Sequence, residues 1–301
     1  MTVSIMPGSA AVAAKGWLGA HKWLFLRRAA QLGFLALFLA GPWAGLWLVK
    51  GTLASSLTLG VLPLTDPYIL FQSLFTGHLP EMTALLGAAI VLAIYAFIGG
   101  RVYCSWVCPV NPVTDAAEWL RQRFNLTGGR MPSRNLRLWI LISTLIVSTI
   151  TGIIAWELVN PVTLLHRALL FGGALAWAVI AAIFIFDLVL ARRGWCGALC
   201  PVGAFYGLIG TKALLRVRAD KREECNDCMD CYAVCPEPHV ITPALKGAEK
   251  GIGPVILDRD CTNCGRCIDV CATDVYRFGG RFNNLSGKLP DHIAGRVKRA
   301  A

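Results

Sequence analysis

Four stretches of the chain are almost continuously apolar: Ala29–Val49, Thr83–Gly100, Leu138–Trp156 and Ala168–Leu190. Each approaches the ~20 residues a helix needs to cross a bilayer, so the pattern predicts four transmembrane helices. The first run is 21 residues long with Gln31 as its polar exception, which is longer than the apolar core of a secretion signal. It therefore reads as a retained first span, preceded by a tail over residues 1–28 that carries Lys15, Lys22, Arg27 and Arg28. The pattern changes after the fourth run. Residues 203–224, with Lys212, Arg216, Arg218, Lys221 and Arg222, read either as a short amphipathic helix on an anionic leaflet or as a solvated linker. Residues 225–280 are cysteine-rich, with a Gly/Lys loop at Lys246–Pro254 and a short strand at Val255–Asp258. Residues 281–301 form a basic, weakly patterned tail.

The expected fold class is thus an α-helical membrane protein, four helices over residues 29–202, joined to a small α+β domain over 225–280. Composition agrees, since 55% of residues are hydrophobic and only 16% charged. The net charge of +11 would suit nucleic acid, but the basic residues flank the apolar runs, so no nucleic-acid role is expected. Arg101, Arg121, Arg123, Arg130, Arg134 and Arg137 follow the second run, whereas Lys50–Met82 holds one Lys and no Arg, and Glu157–Arg167 one Arg. The positive-inside rule then predicts a multi-pass protein of the bacterial inner membrane. Both termini, the middle loop and the cysteine-rich domain would be cytoplasmic, and Arg192 and Arg193 agree.

All twelve cysteines fall into motifs, leaving none over for a structural disulfide. Cys225-x2-Cys228-x2-Cys231-x3-Cys235-Pro236 is followed, after 25 residues, by Cys261-x2-Cys264-x2-Cys267-x3-Cys271. Three cysteines at x2 spacing converge from one tight loop. In two-cluster ferredoxins the fourth ligand comes from the other run. The spacing predicts two [4Fe–4S] clusters, one on Cys225, Cys228, Cys231 and Cys271, the other on Cys261, Cys264, Cys267 and Cys235. Ala272 stands where a second Pro would follow. Zinc also takes four cysteines, but zinc pairs do not call for a third at x2 and a fourth at x3, twice over.

The apolar part repeats itself. Arg101-Val-Tyr103-Cys104-x3-Cys108-Pro109-Val110 matches Arg193-Gly-Trp195-Cys196-x3-Cys200-Pro201-Val202 at an offset of 92, and Asp66-Pro67 matches Asn160-Pro161 at 94. Two such repeats about an axis normal to the membrane would bring Cys104, Cys108, Cys196 and Cys200 together at its inner surface, with the Asx-Pro turns outside. Whether these thiols, the candidate catalytic group, form a metal site, a redox dithiol or plain packing is left open by the spacing. No C-x2-C-H occurs, and His21, His78, His166, His239 and His292 all lie outside the runs, so no haem is expected. Asp66, His78, Glu81, Glu157 and His166, with Arg167, are the outer titratable groups, which could accept protons from a quinol. Asp187 is expected to be paired or snorkelling.

These motifs together resemble the NapH family, the membrane subunits of quinol dehydrogenases serving periplasmic nitrate reductase. The resemblance spans about residues 20–280 and rests chiefly on the paired Cys-x3-Cys-Pro segments preceded by Arg-x-aromatic. It implies quinol as substrate, a NapG-like iron–sulfur partner, and electrons passing on to periplasmic cytochromes c and nitrate reductase. A second class of function, a membrane iron–sulfur assembly or redox factor without turnover of its own, fits the same residues. A zinc-domain membrane tether fits them less well.

Overall fold

The computed structural model describes residues 7–126, 129 and 132–282; the predicted tail beyond residue 282, Arg130 and His292 lie outside them. The chain opens with α1 (Ser9–Ala20), kinked at Gly16 where φ is 73°, and α2 (Lys22–Ala44). Gly45, also left-handed, caps α2, and Leu46 turns back to donate to the Ala40 carbonyl at 3.1 Å. The first apolar run therefore leaves the helix earlier than its composition suggests, and Val49 starts a strand. That strand is β1 (Val49–Gly51), followed by β2 (Ser55–Thr58) and β3 (Leu62–Thr65), an antiparallel meander where the sequence shows only a loop with one Lys and no Arg.

Two Asx-Pro pairs then set the architecture. Asp66 caps α3 (Pro67–Phe75), its side chain accepting from the Tyr68 N–H at 3.0 Å. Asn160 caps α8 (Pro161–Phe171) in the same way, accepting from Val162 at 3.1 Å. Proline suits the first helical position because its missing N–H would be unpaired there in any case. Each short helix leads to a longer one, α4 (Met82–Ile98) and α9 (Ala174–Ile185). The Asx-Pro turns sit beside the Cys-x3-Cys segments, not at the far end of the spans as the linear pattern implied. Between the halves lie α5 (Val102–Trp106), α6 (Asn111–Arg123) and α7 (Leu136–Thr151).

A buried aromatic cluster joins the two halves: Tyr103 stacks on Tyr206 at 4.9 Å, and Tyr95 meets both edge-on. Here Gly100 crosses α10 (Pro201–Ile209) so closely that a Cβ would lie 1.6 Å from the Tyr206 carbonyl oxygen. Residues 203–224 are neither amphipathic helix nor free linker. They continue α10 and form β4 (Leu215–Arg218), with Arg216 and Arg218 buried. β4 pairs antiparallel with β5 (Arg277–Gly280), Val217 opposite Phe278, so the cysteine-rich domain starts before its first cysteine. Inside it are α11 (Asp230–Val234), α12 (Ile241–Lys246) and α13 (Arg266–Asp269) around a core of Val217, Val240, Ile241, Ile256 and Tyr276.

Among the described residues one helical stretch, Ser9–Ala44, is long and apolar enough to cross a membrane; Met82–Ile98, Leu136–Thr151, Pro161–Phe171 and Ala174–Leu190 are shorter apolar helices. Their outward faces stay apolar: Phe97 is 63% exposed, Trp139 65%, Ile150 79% and Leu175 76%. Large apolar side chains exposed in this number on several helices suit an interaction face, membrane or protein.

Candidate functional site

The two cysteine loops are built alike. Asp227 and Met229 in the first, and Asn263 and Gly265 in the second, adopt left-handed φ at repeat-related positions. Alternation into that region turns successive backbone N–H groups toward one concave side, a nest of the kind that receives anionic iron–sulfur centres. Each loop is followed by a short helix, α11 and α13.

The fold distributes the eight thiols into two cavities. One is lined by Cys225, Cys228, Cys231 and Cys271, with Tyr232, Leu245, Val275 and Tyr276. The other is lined by Cys261, Cys264, Cys267 and Cys235, with Val240, Ile241 and Ile256. In both, the fourth thiol comes from the opposite run. All twelve cysteines are free. Among the described residues the one group of three or more ligand atoms mutually within 4.8 Å is Glu237, His239 and Asp260, so no three thiols come that close. Tetrahedral zinc with Zn–S of about 2.3 Å would hold its sulfurs about 3.8 Å apart. The wider setting suits a polynuclear cluster, and the apolar walls and nests fit one.

Electrostatics support the same fit. Burial pushes Cys231 and Cys261 up to about 11 and Cys267 well above the usual thiol range. For Cys264 burial acts in the same direction but is outweighed by the guanidiniums of Arg266 and Arg27, which hold it below that range. Burial thus favours the neutral form of Cys231, Cys261 and Cys267 until a metal replaces their protons, and the cations beside Cys264 offset the charge of a thiolate-ligated cluster.

The domain is held against the repeats by two buried ion-pair clusters. Glu237, 1% exposed, accepts from Arg101 at 3.0 Å, Arg134 at 3.0 Å and Arg137 at 3.3 Å, and Asp260 pairs with Arg137. Asp115 meets Arg28, Arg193 and Arg266, with Arg27 at 3.6 Å. Burial alone would raise the Asp115 carboxyl, but these guanidiniums hold it well below the usual carboxylate range. Asp269 accepts from the Trp23 and Leu24 N–H groups, both at 3.0 Å, which ties α2 to the domain. The loop arginines read from sequence as a topology signal are therefore, in large part, docking residues.

The repeat cysteines also converge. Cys104, Cys108, Cys196 and Cys200 line one cavity with Asp66, Asn160, Tyr103, Trp195 and Trp156. Each Cys-x3-Cys turn closes with a widened bond, Cys108 N–H to the Tyr103 carbonyl at 3.0 Å and Cys200 N–H to that of Trp195 at 2.9 Å. This closure over five residues makes each segment a π-turn, a feature that recurs at functional sites.

The remaining titratable groups do not form one outer cluster. Asp66 is at the cysteine cavity and accepts from the Tyr206 hydroxyl at 3.3 Å. Glu157 pairs with Asn160 at 3.0 Å; His166 is buried against Phe38, without a hydrogen-bond partner; His78 and Glu81 are exposed. Asp187 is buried and accepts from the Trp195 N–H at 2.9 Å.

The family model of the 4Fe-4S dicluster domain matches residues 224–275, and that of a 4Fe-4S binding domain matches residues 81–127 and 173–221, once in each half. The methylamine utilization ferredoxin-type protein MauN of Methylorubrum extorquens is 53% identical over 91% of this chain and 95% of its own. The ferredoxin-type protein NapH of Escherichia coli is 46% identical over 92% of this chain and 96% of its own, and NapH of Haemophilus influenzae 48% over 89% and 93%. The chain belongs to the NapH/MauN family of ferredoxin-type proteins. Family membership makes it an iron–sulfur protein of electron transfer, in accord with the paired cavities. No solved structure matches it.

Proposed function

We propose that this NapH/MauN-type protein is the membrane electron-transfer subunit of a quinol dehydrogenase. The observation that carries the reading is the docking of a domain with two crossed four-thiol cavities onto an apolar helical repeat whose own cysteines adjoin one of them. Cys225, Cys228, Cys231 and Cys271 would hold one [4Fe–4S] cluster, and Cys261, Cys264, Cys267 and Cys235 the other. Bound clusters supply one-electron acceptance, whereas a quinol gives up two electrons and two protons.

The apolar outer faces of α4, α7 and α9 support a bilayer as surroundings, and the excess of arginine in the middle loop supports a cytoplasmic ferredoxin domain over about 213–280. Reporter fusions after Asp220 are expected to score cytoplasmic and those after His166 external. An external score at Asp220 would reverse the orientation.

A cavity of about 640 Å³ between α1, α2, α6 and the domain is of the size that takes a cofactor-sized ligand. Its walls include Val12, Trp17, Leu24, Trp119 and Val270, and Arg266 lines both it and the Cys264 cavity. We assign the quinol headgroup to this groove instead of the dispersed outer residues. Ala116 is exposed on its wall. Ala116→Trp should lower quinol-linked cluster reduction at least tenfold with iron content unchanged. Undiminished reduction would move the quinol elsewhere.

The MauN and NapH relatives, at 53% and at 46–48% identity, offer two contexts for the downstream partner. A NapG-like protein and periplasmic nitrate reductase are one proposal. Methylamine utilization, favoured by 53% identity to MauN, is the other. Assembly without turnover would leave the clusters unreduced by any quinol.

A further inference from the structure

We propose that Cys104, Cys108, Cys196 and Cys200 together hold a third iron–sulfur cluster, shared between the two repeats and in line with the two of the ferredoxin domain. Each match to the 4Fe-4S binding domain contains only two of these cysteines, Cys104 and Cys108 in one and Cys196 and Cys200 in the other. Neither half can ligate a cubane alone. The fold removes the difficulty by placing all four thiols on one cavity wall.

The surroundings suit an anionic, thiolate-ligated group. Four helices begin at this cavity. Asp66 and Asn160 are the caps of α3 and α8, Cys200 is itself the cap of α10, and Val110 is the cap of α6. The positive ends of their dipoles face one volume. The thiols are unbonded to one another, and no three of them lie mutually within 4.8 Å, wider than a single zinc ion would hold them. Packing cysteines would have no reason to recur in repeat-related π-turns with their helix starts converging.

Position gives the site its use. A small neighbouring cavity is lined by Cys104 and Cys196 on one side and by Pro236, Glu237, Thr262 and Arg266, residues of the Cys261 site, on the other. Arg101 spans the gap, donating to the Cys196 carbonyl at 3.2 Å and to the Asp260 carbonyl, one residue before Cys261, at 2.9 Å. The Ser105 hydroxyl donates to the Thr262 carbonyl at 2.7 Å beside it. The repeat cavity therefore adjoins the Cys261 cavity of the ferredoxin domain.

The test is metal and labile-sulfide analysis of the full chain purified without oxygen, alongside Mössbauer spectroscopy. Wild type should contain about twelve iron and twelve sulfide per chain, as three cubanes require. The double variant Cys104→Ser, Cys196→Ser should lose about a third of both and keep the EPR signals of the ferredoxin clusters, whose persistence shows that the variant folds. About eight iron in the wild type, unchanged in the double variant, would overturn the proposal. So would a stoichiometric zinc lost from that variant. If the double variant fails to fold, the wild-type count still decides between twelve and eight.

Discussion

Cys235→Ala should remove the cluster whose other three ligands lie some 26 to 32 residues further on, and spare the one beside it in sequence. The reason is the crossing: Cys235 lines the cavity of Cys261, Cys264 and Cys267, while Cys271 lines that of Cys225, Cys228 and Cys231. A cubane that loses one of four thiolates in a buried apolar site has no water-exposed substitute close by, so the loss should be near complete. The expected deficit is about four iron atoms per chain relative to wild type. A double-mutant comparison assigns it without needing to name the signals. Cys235→Ala with Cys261→Ala should be no worse than either alone, whereas Cys235→Ala with Cys225→Ala should lose about eight. Pairing of Cys235 with its own run would give the opposite pattern in both doubles.

Glu237→Ala is expected to be the most damaging change outside the cysteines. Glu237 is 1% exposed and is the acceptor shared by Arg101, Arg134 and Arg137, of which Arg101 and Arg137 are themselves buried. Removing it leaves two buried guanidiniums with only Asp260 near them. Breaking a buried pair in this way costs about 3–5 kcal/mol, because the stranded charge remains desolvated. Limited proteolysis should then cut at the junction before β4, and thermal unfolding should split into two transitions. Replacing both partners, as in Arg101→Met with Glu237→Leu, should recover much of the loss, since neither charge is then stranded. A change below about 1 kcal/mol in the single variant would mean that this cluster does not hold the domain in place.

Much of the site was legible in the sequence because ligand spacing is a local constraint. The x2 loops must turn tightly to bring three thiols together, and Asp227, Met229, Asn263 and Gly265 supply that turn in register. The repeat was legible too, since Cys104 and Cys196 lie in matching words. What escaped was long-range. The Asx-Pro pairs were visible, but their position beside the cysteines depends on where α3 and α8 pack, which no local pattern encodes. The meander over β1–β3 escaped because a weakly charged loop and three short strands look alike in hydropathy. Arg101 and Arg193 were counted as topology signals; their carboxylate partners, Glu237 and Asp115, are 136 and 78 residues away. Their one local mark is that both stand three residues before a cysteine of the repeat.

In this arrangement the cluster sites would lie close enough to pass electrons from one to the next. Low-temperature EPR of the fully reduced wild-type protein tests it most directly. Neighbouring paramagnetic clusters should give a broadened, spin-coupled spectrum, and Cys225→Ala, by emptying the terminal site, should simplify it. Sharp, non-interacting signals in the wild type, unaltered in shape by that substitution, would contradict the account.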